Sequence, residues 1–232
     1  MLRSKFSATL RPSGELGCEV GAGNTFCSQG SYRRSATKRV DVRSRRRLLD
    51  DFFKVDEAEV SFERFDGSMT PPVRRLVFER GDSVAAVVFD RDTERLLLTE
   101  QFRFPTFEKG PGWLIELIAG IIEPDEQPEA SMRREIEEEL GYRADRIEYV
   151  ATFYVSPGGS SERIWVYYAD VGAAGRVSAG GGLPGEHEDI RVVSISPEEA
   201  RAALKDGKIA DAKTVVGLQW FLARGDSRAD GH

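Results

Sequence analysis

The chain has 232 residues, 40% of them apolar, enough to bury one good core with a small accessory element. It contains no run of roughly 18 uncharged apolar residues, which argues against a membrane-spanning helix. The formal net charge of −6 hides a division: residues 1–47 carry 11 Lys/Arg against 3 Asp/Glu, and the remaining 185 carry 22 against 36. So acidic a body argues against a broad nucleic-acid surface.

Residues 1 to about 46 are rich in Ser, Arg and Gly, poor in acid, and show no sustained apolar period. Disorder is the expectation for 1–46. This basic head lacks the apolar core of a secretory signal, and its composition also matches an organellar transit peptide. The expected location is cytoplasmic, with organellar targeting as the open alternative. Cys18 and Cys27 both lie in the head; they could pair, and they lack the spacing partners of a zinc site. Arg43, Arg45, Arg46 and Arg47 could touch nucleic acid, although so short a charge run is more often solvated.

Order is expected from near Leu48. Residues 55–65 carry Val60, Phe62 and Phe65 in loose alternation, which predicts a strand. Asp66-Gly67 signals a turn, and 73–80 reads as the returning strand. Two strands alone are marginal, so this element, 47–80, needs a partner surface. Residues 83–89 and 95–101 are two further strands around a turn at Asp90 and Asp92. An apolar run, 113–118, follows Gly110-Pro111-Gly112. Later, 147–154 and 164–168 read as strands flanking the loop Ser156-Pro157-Gly158-Gly159-Ser160-Ser161-Glu162. Residues 172–184 are a Gly/Ala loop and 190–195 a strand. Ser196 with Glu199 makes a capping box, Pro197 takes the first helical position, and Gly207 closes that helix. Residues 212–223 form a last apolar helix, and 226–232 are expected to be a disordered tail. Strands interleaved with three helices predict an α/β chain whose mixed sheet is covered on both faces.

The stretch 120–142, GIIEPDEQPEASMRREIEEELGY, carries the chemistry. Pro128 suits the first position of a helix and Gly141 the left-handed residue beyond its end. Met132, Ile136 and Leu140 recur every four residues as one apolar stripe. Glu135, Glu138 and Glu139 fall on the adjacent stripe, where like charges oppose one another by roughly 0.2–0.5 kcal/mol per pair. A cation between them reverses that sign, and carboxylate oxygens are what Mg²⁺ prefers. A solvated acidic face is the plain alternative. The spacing is G-x5-E-x7-R-E-U-x-E-E-x-G-U, with U apolar or aromatic. It is filled by Gly120, Glu126, Arg134, Glu135, Ile136, Glu138, Glu139, Gly141 and Tyr142. This stretch resembles the Nudix hydrolase box at every defined position.

The resemblance implies a Nudix α/β/α sandwich with a mixed sheet over 81–225, preceded by a small N-terminal antiparallel β element. It implies Mg²⁺, with Mn²⁺ as a substitute, held by Glu135, Glu138, Glu139 and the backbone carbonyl of Ala119. Glu138 is also a catalytic candidate. Arg134 would pair with Glu126 and fix the loop on the helix, Gly120 and Gly141 would shape its ends, and Glu137 would project away. Pro157 and its loop are similar to those of the ADP-ribose pyrophosphatase group within the family. On that resemblance Glu162 is the favoured general base, the alternative being an ordinary loop glutamate. His187 and His232 are the only histidines, and His187 reads as a surface residue. Phe52, Arg75, Arg80 and Arg103 match the group's substrate-binding positions, and 185–192 and 207–222 match its C-terminal motifs. Phe52 reads equally as a core or interface aromatic.

In that group the first strands cross to a second subunit, so the resemblance implies a homodimer acting on a nucleotide sugar, with no nucleic-acid or membrane partner. The implied reaction is hydrolysis of ADP-ribose to AMP and ribose 5-phosphate, favoured by Ser161-Glu162-Arg163 and Trp220. GDP-mannose or another nucleotide sugar is the alternative substrate, and a non-catalytic ADP-ribose sensor the alternative of another class.

Overall fold

The computed structural model describes residues 38–182 and 189–229. The first three strands, β1 (Val40–Asp50), β2 (Lys54–Phe62) and β3 (Val73–Glu79), form a small antiparallel sheet in chain order. The expected start of order near Leu48 therefore falls inside β1, and residues 40–46 are strand rather than disordered head. All eleven residues of β1 are exposed, so it has no apolar period to read. Charge holds it instead. The register sets Arg46 opposite Glu57 and Arg47 opposite Asp56. Arg45 reaches Asp56 at 2.6 Å, Arg46 reaches Glu57 at 2.7 Å, and Arg47 also grips Asp56, which is buried. Arg47 first, then Arg45, holds the Asp56 carboxyl below its usual range, and Arg46 first, then Arg74, does so for Glu57. The basic run is thus compensated within its own sheet. Residues 1–37, with Cys18 and Cys27, lie outside the described residues.

The larger sheet is built on β4 (Ser83–Asp90), followed by β5 (Arg95–Phe102), the single-turn α1 (Phe104–Phe107), β6 (Trp113–Glu116) and β7 (Ile118–Ile121). After these come α2 (Pro128–Glu135), β8 (Arg146–Tyr154), β9 (Arg163–Val171), β10 (Arg191–Ile195), α3 (Pro197–Lys205) and α4 (Ala212–Ala229). The order is β10-β5-β4-β9-β8, with β6 also on β5 and β7 on β4. β4 and β9 run parallel while its pairings with β5 and β7 are antiparallel, so the sheet is mixed as expected.

β4 reads SVAAVVFD because both of its faces are covered, which leaves no place for alternation with polar residues. Val84, Ala86 and Val88 share a buried cluster with Met132, Ile136 and Leu140 of the α2 segment. Ala85 and Val87 share a second cluster with Ala200 of α3 and Leu218 of α4. This is the α/β/α sandwich. The expected tail from 226 is helical through Ala229. No helix among the described residues is long and apolar enough to cross a membrane.

The apolar run 113–118 is broken between two strands. β6 pairs with β5, the chain steps at Leu117, and β7 pairs with β4. That step is sewn to α4. The Thr214 hydroxyl accepts the Leu117 N–H at 2.8 Å and donates to Asp211 Oδ2 at 2.5 Å. Lys213 Nζ bridges Glu116 at 2.5 Å and Asp211 at 3.0 Å, with both Glu116 and Thr214 buried. Thr214→Val keeps the shape and removes the acceptor, stranding a buried N–H. We expect a loss of about 1–3 kcal/mol in urea unfolding, and an unchanged midpoint would show that this link carries no stability.

Candidate active site

Two elements meet at one end of the sheet: β7, through Ala119 and Gly120, and α2 with its continuation. α2 starts on Pro128 and runs to Glu135, then widens into a π-helical turn over Ile136–Leu140 that stops at Gly141 with φ +76°. Gly141 thus takes the left-handed position expected of it. The sequence pattern carried no sign of the π turn. Gly120 meets a different requirement, close approach. A Cβ placed there would collide with the Glu135 carboxylate, so only glycine lets that side chain lie against β7.

Arg134 holds the acids apart and in place. Its Nε and Nη2 donate to Glu126 at 3.2 and 3.1 Å, the expected brace between loop and helix. Nη2 also reaches the Ile121 carbonyl at 3.3 Å. The same guanidinium does more than the sequence suggested: Nη1 donates to Glu135 at 2.7 Å and to Glu138 at 3.1 Å. These bonds hold the Glu126 carboxyl low and drive the Arg134 pKa further up, the Glu126 hydrogen bond being the largest cause for Arg134. Glu139 is buried beside this cluster, whereas Glu137 points to Arg143, half exposed, as expected.

A second group lies two strands away. Ile121 pairs with Ser83, and Ser83 with Ile164, so β7 and the start of β9 are roughly 10 Å apart. Just ahead of β9, Glu162 is 7% exposed, which excludes an ordinary solvated loop glutamate. It accepts from Ser83 Oγ at 2.9 Å and faces Arg80 Nε at 3.6 Å. The Pro157 loop is held by its own turn bonds to the Ser156 carbonyl, and by Phe78, which exchanges backbone hydrogen bonds with Gly159 and Ser161.

Arg80 also lies 6.0 Å from the Phe53 ring, which touches Phe78 on one side and Phe52 on the other. Phe52 itself is 76% exposed, so it is no core residue. Arg103 donates through Nε to the buried Glu116 at 2.8 Å, joining the Lys213 network to this end of the molecule. Arg75 stays on β3, donating to the Arg74 carbonyl, and joins neither group. Trp220 gives no support for a substrate: it packs on α4 against Tyr168 beneath Arg224, in the second buried cluster. His187 and the start of the 185–192 motif lie outside the described residues.

Phe53, Ser83, Glu116 and Lys213 were missed by sequence reasoning. Glu116 and Lys213 are 97 positions apart, and no local pattern links them. A Lys two positions after Asp211 in an otherwise apolar helix start was the one available hint.

The donor set suits a hard divalent cation: three carboxylates and a backbone carbonyl, oxygen throughout. Among the described residues no three acidic side chains converge as a metal shell, and Arg134 donates to both Glu135 and Glu138. The Gly120 notch nevertheless brings Glu135 against the strand that bears the Ala119 carbonyl. The residues fit such an ion.

Comparison with known proteins agrees with this geometry. Residues 79–216 match the model of the NUDIX domain family. The chain is 38% identical over 183 residues to an ADP-ribose pyrophosphatase of Escherichia coli K12, covering 78% of this chain and 87% of that protein. It is 35% identical over 188 residues to a GDP-mannose pyrophosphatase of Pectobacterium atrosepticum, covering 80% and 95%. A crystal structure described as an ADP compounds hydrolase superposes with a TM-score of 0.63 at 19% identity, over 85% of this chain and 98% of that one, and supports the fold alone. On the matched domain, the intact box and these relatives, the chain belongs to the Nudix family, whose members generally need a divalent metal ion.

Proposed function

We propose that this protein hydrolyses the diphosphate of ADP-ribose, releasing AMP and ribose 5-phosphate. The observation that carries the reading is the Gly120 notch, which seats the Glu135 carboxylate of the box helix against β7, joined to relatives named for that substrate. A cation, Mg²⁺ or in its place Mn²⁺, would be held by Glu135, Glu138, Glu139 and the Ala119 carbonyl. Bound there it supplies positive charge to the diphosphate as the phosphoanhydride breaks.

The rest falls to the chain's own groups. Glu162, held by Ser83, takes the proton of the attacking water while the P–O bond to the leaving phosphate opens. Arg80 and Arg103 offer guanidinium forks suited to phosphate oxygens. Phe52 and Phe53 offer aromatic faces for a base. Arg75 would join them only across a second subunit, which the homodimer reading supplies. A GDP-mannose relative of similar identity favours a second reading, the same chemistry on another nucleotide sugar. The test is nucleotide release from a panel of nucleotide sugars with Mg²⁺ and with chelator. AMP from ADP-ribose, dominant and metal-dependent, is expected; GMP from GDP-mannose as the major product would favour the second reading. Release unaffected by chelator would remove the cation.

For Glu162 we expect Glu162→Gln to lower the single-turnover rate by roughly 10²–10⁴ with little change in KM. A rise in KM at constant rate would reassign it to substrate binding.

Assembly follows from β1, exposed along its whole length, and from the exposed Phe52 and Phe65 of the same sheet region. We expect a homodimer at micromolar concentration in sedimentation. An active monomer there would contradict it.

A further inference from the structure

The last turn of the box helix is closed by a distant segment, residues 176–182, which wraps the helix end as a strap. Arg176 bridges Tyr142, its guanidinium 5.3 Å from the ring and 3.1 Å from the hydroxyl. Val177 and Ser178 donate to the Gly141 carbonyl at 2.8 and 3.2 Å. Gly181 then donates to the carbonyl of Glu139 at 2.8 Å, and Gly182 to that of Glu138 at 3.3 Å. These last two carbonyls belong to two of the glutamates assigned above to the cation. Helix ends carry unsatisfied carbonyls that need partners, and local capping by the next residues is the common solution. Here the partners come from some forty positions downstream.

The fit requires glycine. Gly180 has φ +71°, and a Cβ on it would come 2.5 Å from the Glu139 carbonyl oxygen and 2.6 Å from the Leu140 carbonyl carbon. Backbone cannot yield as a flexible side chain does. Either the strap lifts, taking the Gly181 and Gly182 donors with it, or the turn carrying Glu138 and Glu139 moves.

We propose that the strap, through Gly180, Gly181 and Gly182, is a positioning element that sets the backbone of Glu138 and Glu139 and thereby their carboxylates for the cation. The proposal rests on the metal assignment of the preceding subsection, and its test separates the two.

Mn²⁺ affinity is measured by calorimetry without substrate on the full chain and on three variants: Gly180→Ala, Gly207→Ala and Glu139→Gln. Gly207 has φ +68° and no atom within 4 Å of an added Cβ, so it reports left-handed strain alone. Gly180→Ala is expected to weaken Mn²⁺ at least tenfold, and Gly207→Ala not at all. If Glu139→Gln binds Mn²⁺ as the parent does, the metal assignment fails and the strap proposal with it. If Glu139→Gln loses binding while Gly180→Ala keeps it, the strap proposal alone is overturned. Should Gly180→Ala not fold, the unmodified chain still decides. Linkage is reciprocal, so Mg²⁺ must slow hydrogen exchange of the Gly181 and Gly182 amides severalfold. Protection unchanged by Mg²⁺ overturns the coupling.

Discussion

One guanidinium makes this site possible. Glu135, Glu138 and Glu139 on adjoining positions of one helix, beside Glu126 from the preceding loop, repel one another in any folded arrangement that keeps them close. Arg134 meets Glu126, Glu135 and Glu138 at 2.7–3.2 Å and ties the Ile121 carbonyl into the same grip. It is only partly exposed, so these pairs are less screened than a surface pair would be. The consequence is structural as well as electrostatic. With Glu126, Glu135 and Glu138 compensated, the helix presses Met132, Ile136 and Leu140 into the sheet.

The second constraint is β4. A strand buried on both faces fixes the layers above and below it in one register, and its neighbours β7 and β9 inherit that register at the same end. Gly120 is therefore placed by a backbone ladder, and Glu162 by its loop position directly ahead of one. Rigid elements hold reacting groups more narrowly than loops do. The Lys213, Glu116 and Arg103 chain adds a lateral tie from α4, and burying it is tolerable only because each charge has an opposite partner within hydrogen-bonding reach.

What the sequence disclosed follows from which forces leave a periodic trace. The apolar stripe of α2, the two-faced run of β4 and the Ser196 capping box all do, and all were readable. β1 leaves none, because cross-strand ion pairs to Asp56 and Glu57 stabilise it and such pairs need a register no single strand displays. The step at Leu117 is hidden for the opposite reason, since both halves are apolar and only their partners differ. Within the site, the acids were legible from spacing and the Arg134–Glu126 brace from the resemblance, whereas the close approach of Glu135 that Gly120 allows was not. Nor was the Glu116–Lys213 contact, and Trp220 misled because an aromatic in a helix looks the same facing a core or a ligand.

The small sheet bears on the site through a single backbone seam. β3 is an edge strand whose Phe78 pairs with Gly159 and Ser161, and Ser161 Oγ adds a bond to Glu79 at 2.6 Å. An edge strand with free donors invites another strand, and here part of that edge is satisfied by the Pro157 loop. The loop in turn ends at Glu162, while β3 runs into Arg80, so the carboxylate and the guanidinium facing it are presented by the two sides of one seam. A Cβ added at Gly158 or Gly159 would meet no other atom, and the loop is tied by the Phe78 bonds and the Ser156 turn. Whatever fixes the small sheet therefore also fixes the spacing of Glu162 and Arg80. In the proposed homodimer a second surface would steady this exposed sheet, and with it the geometry between these two charges.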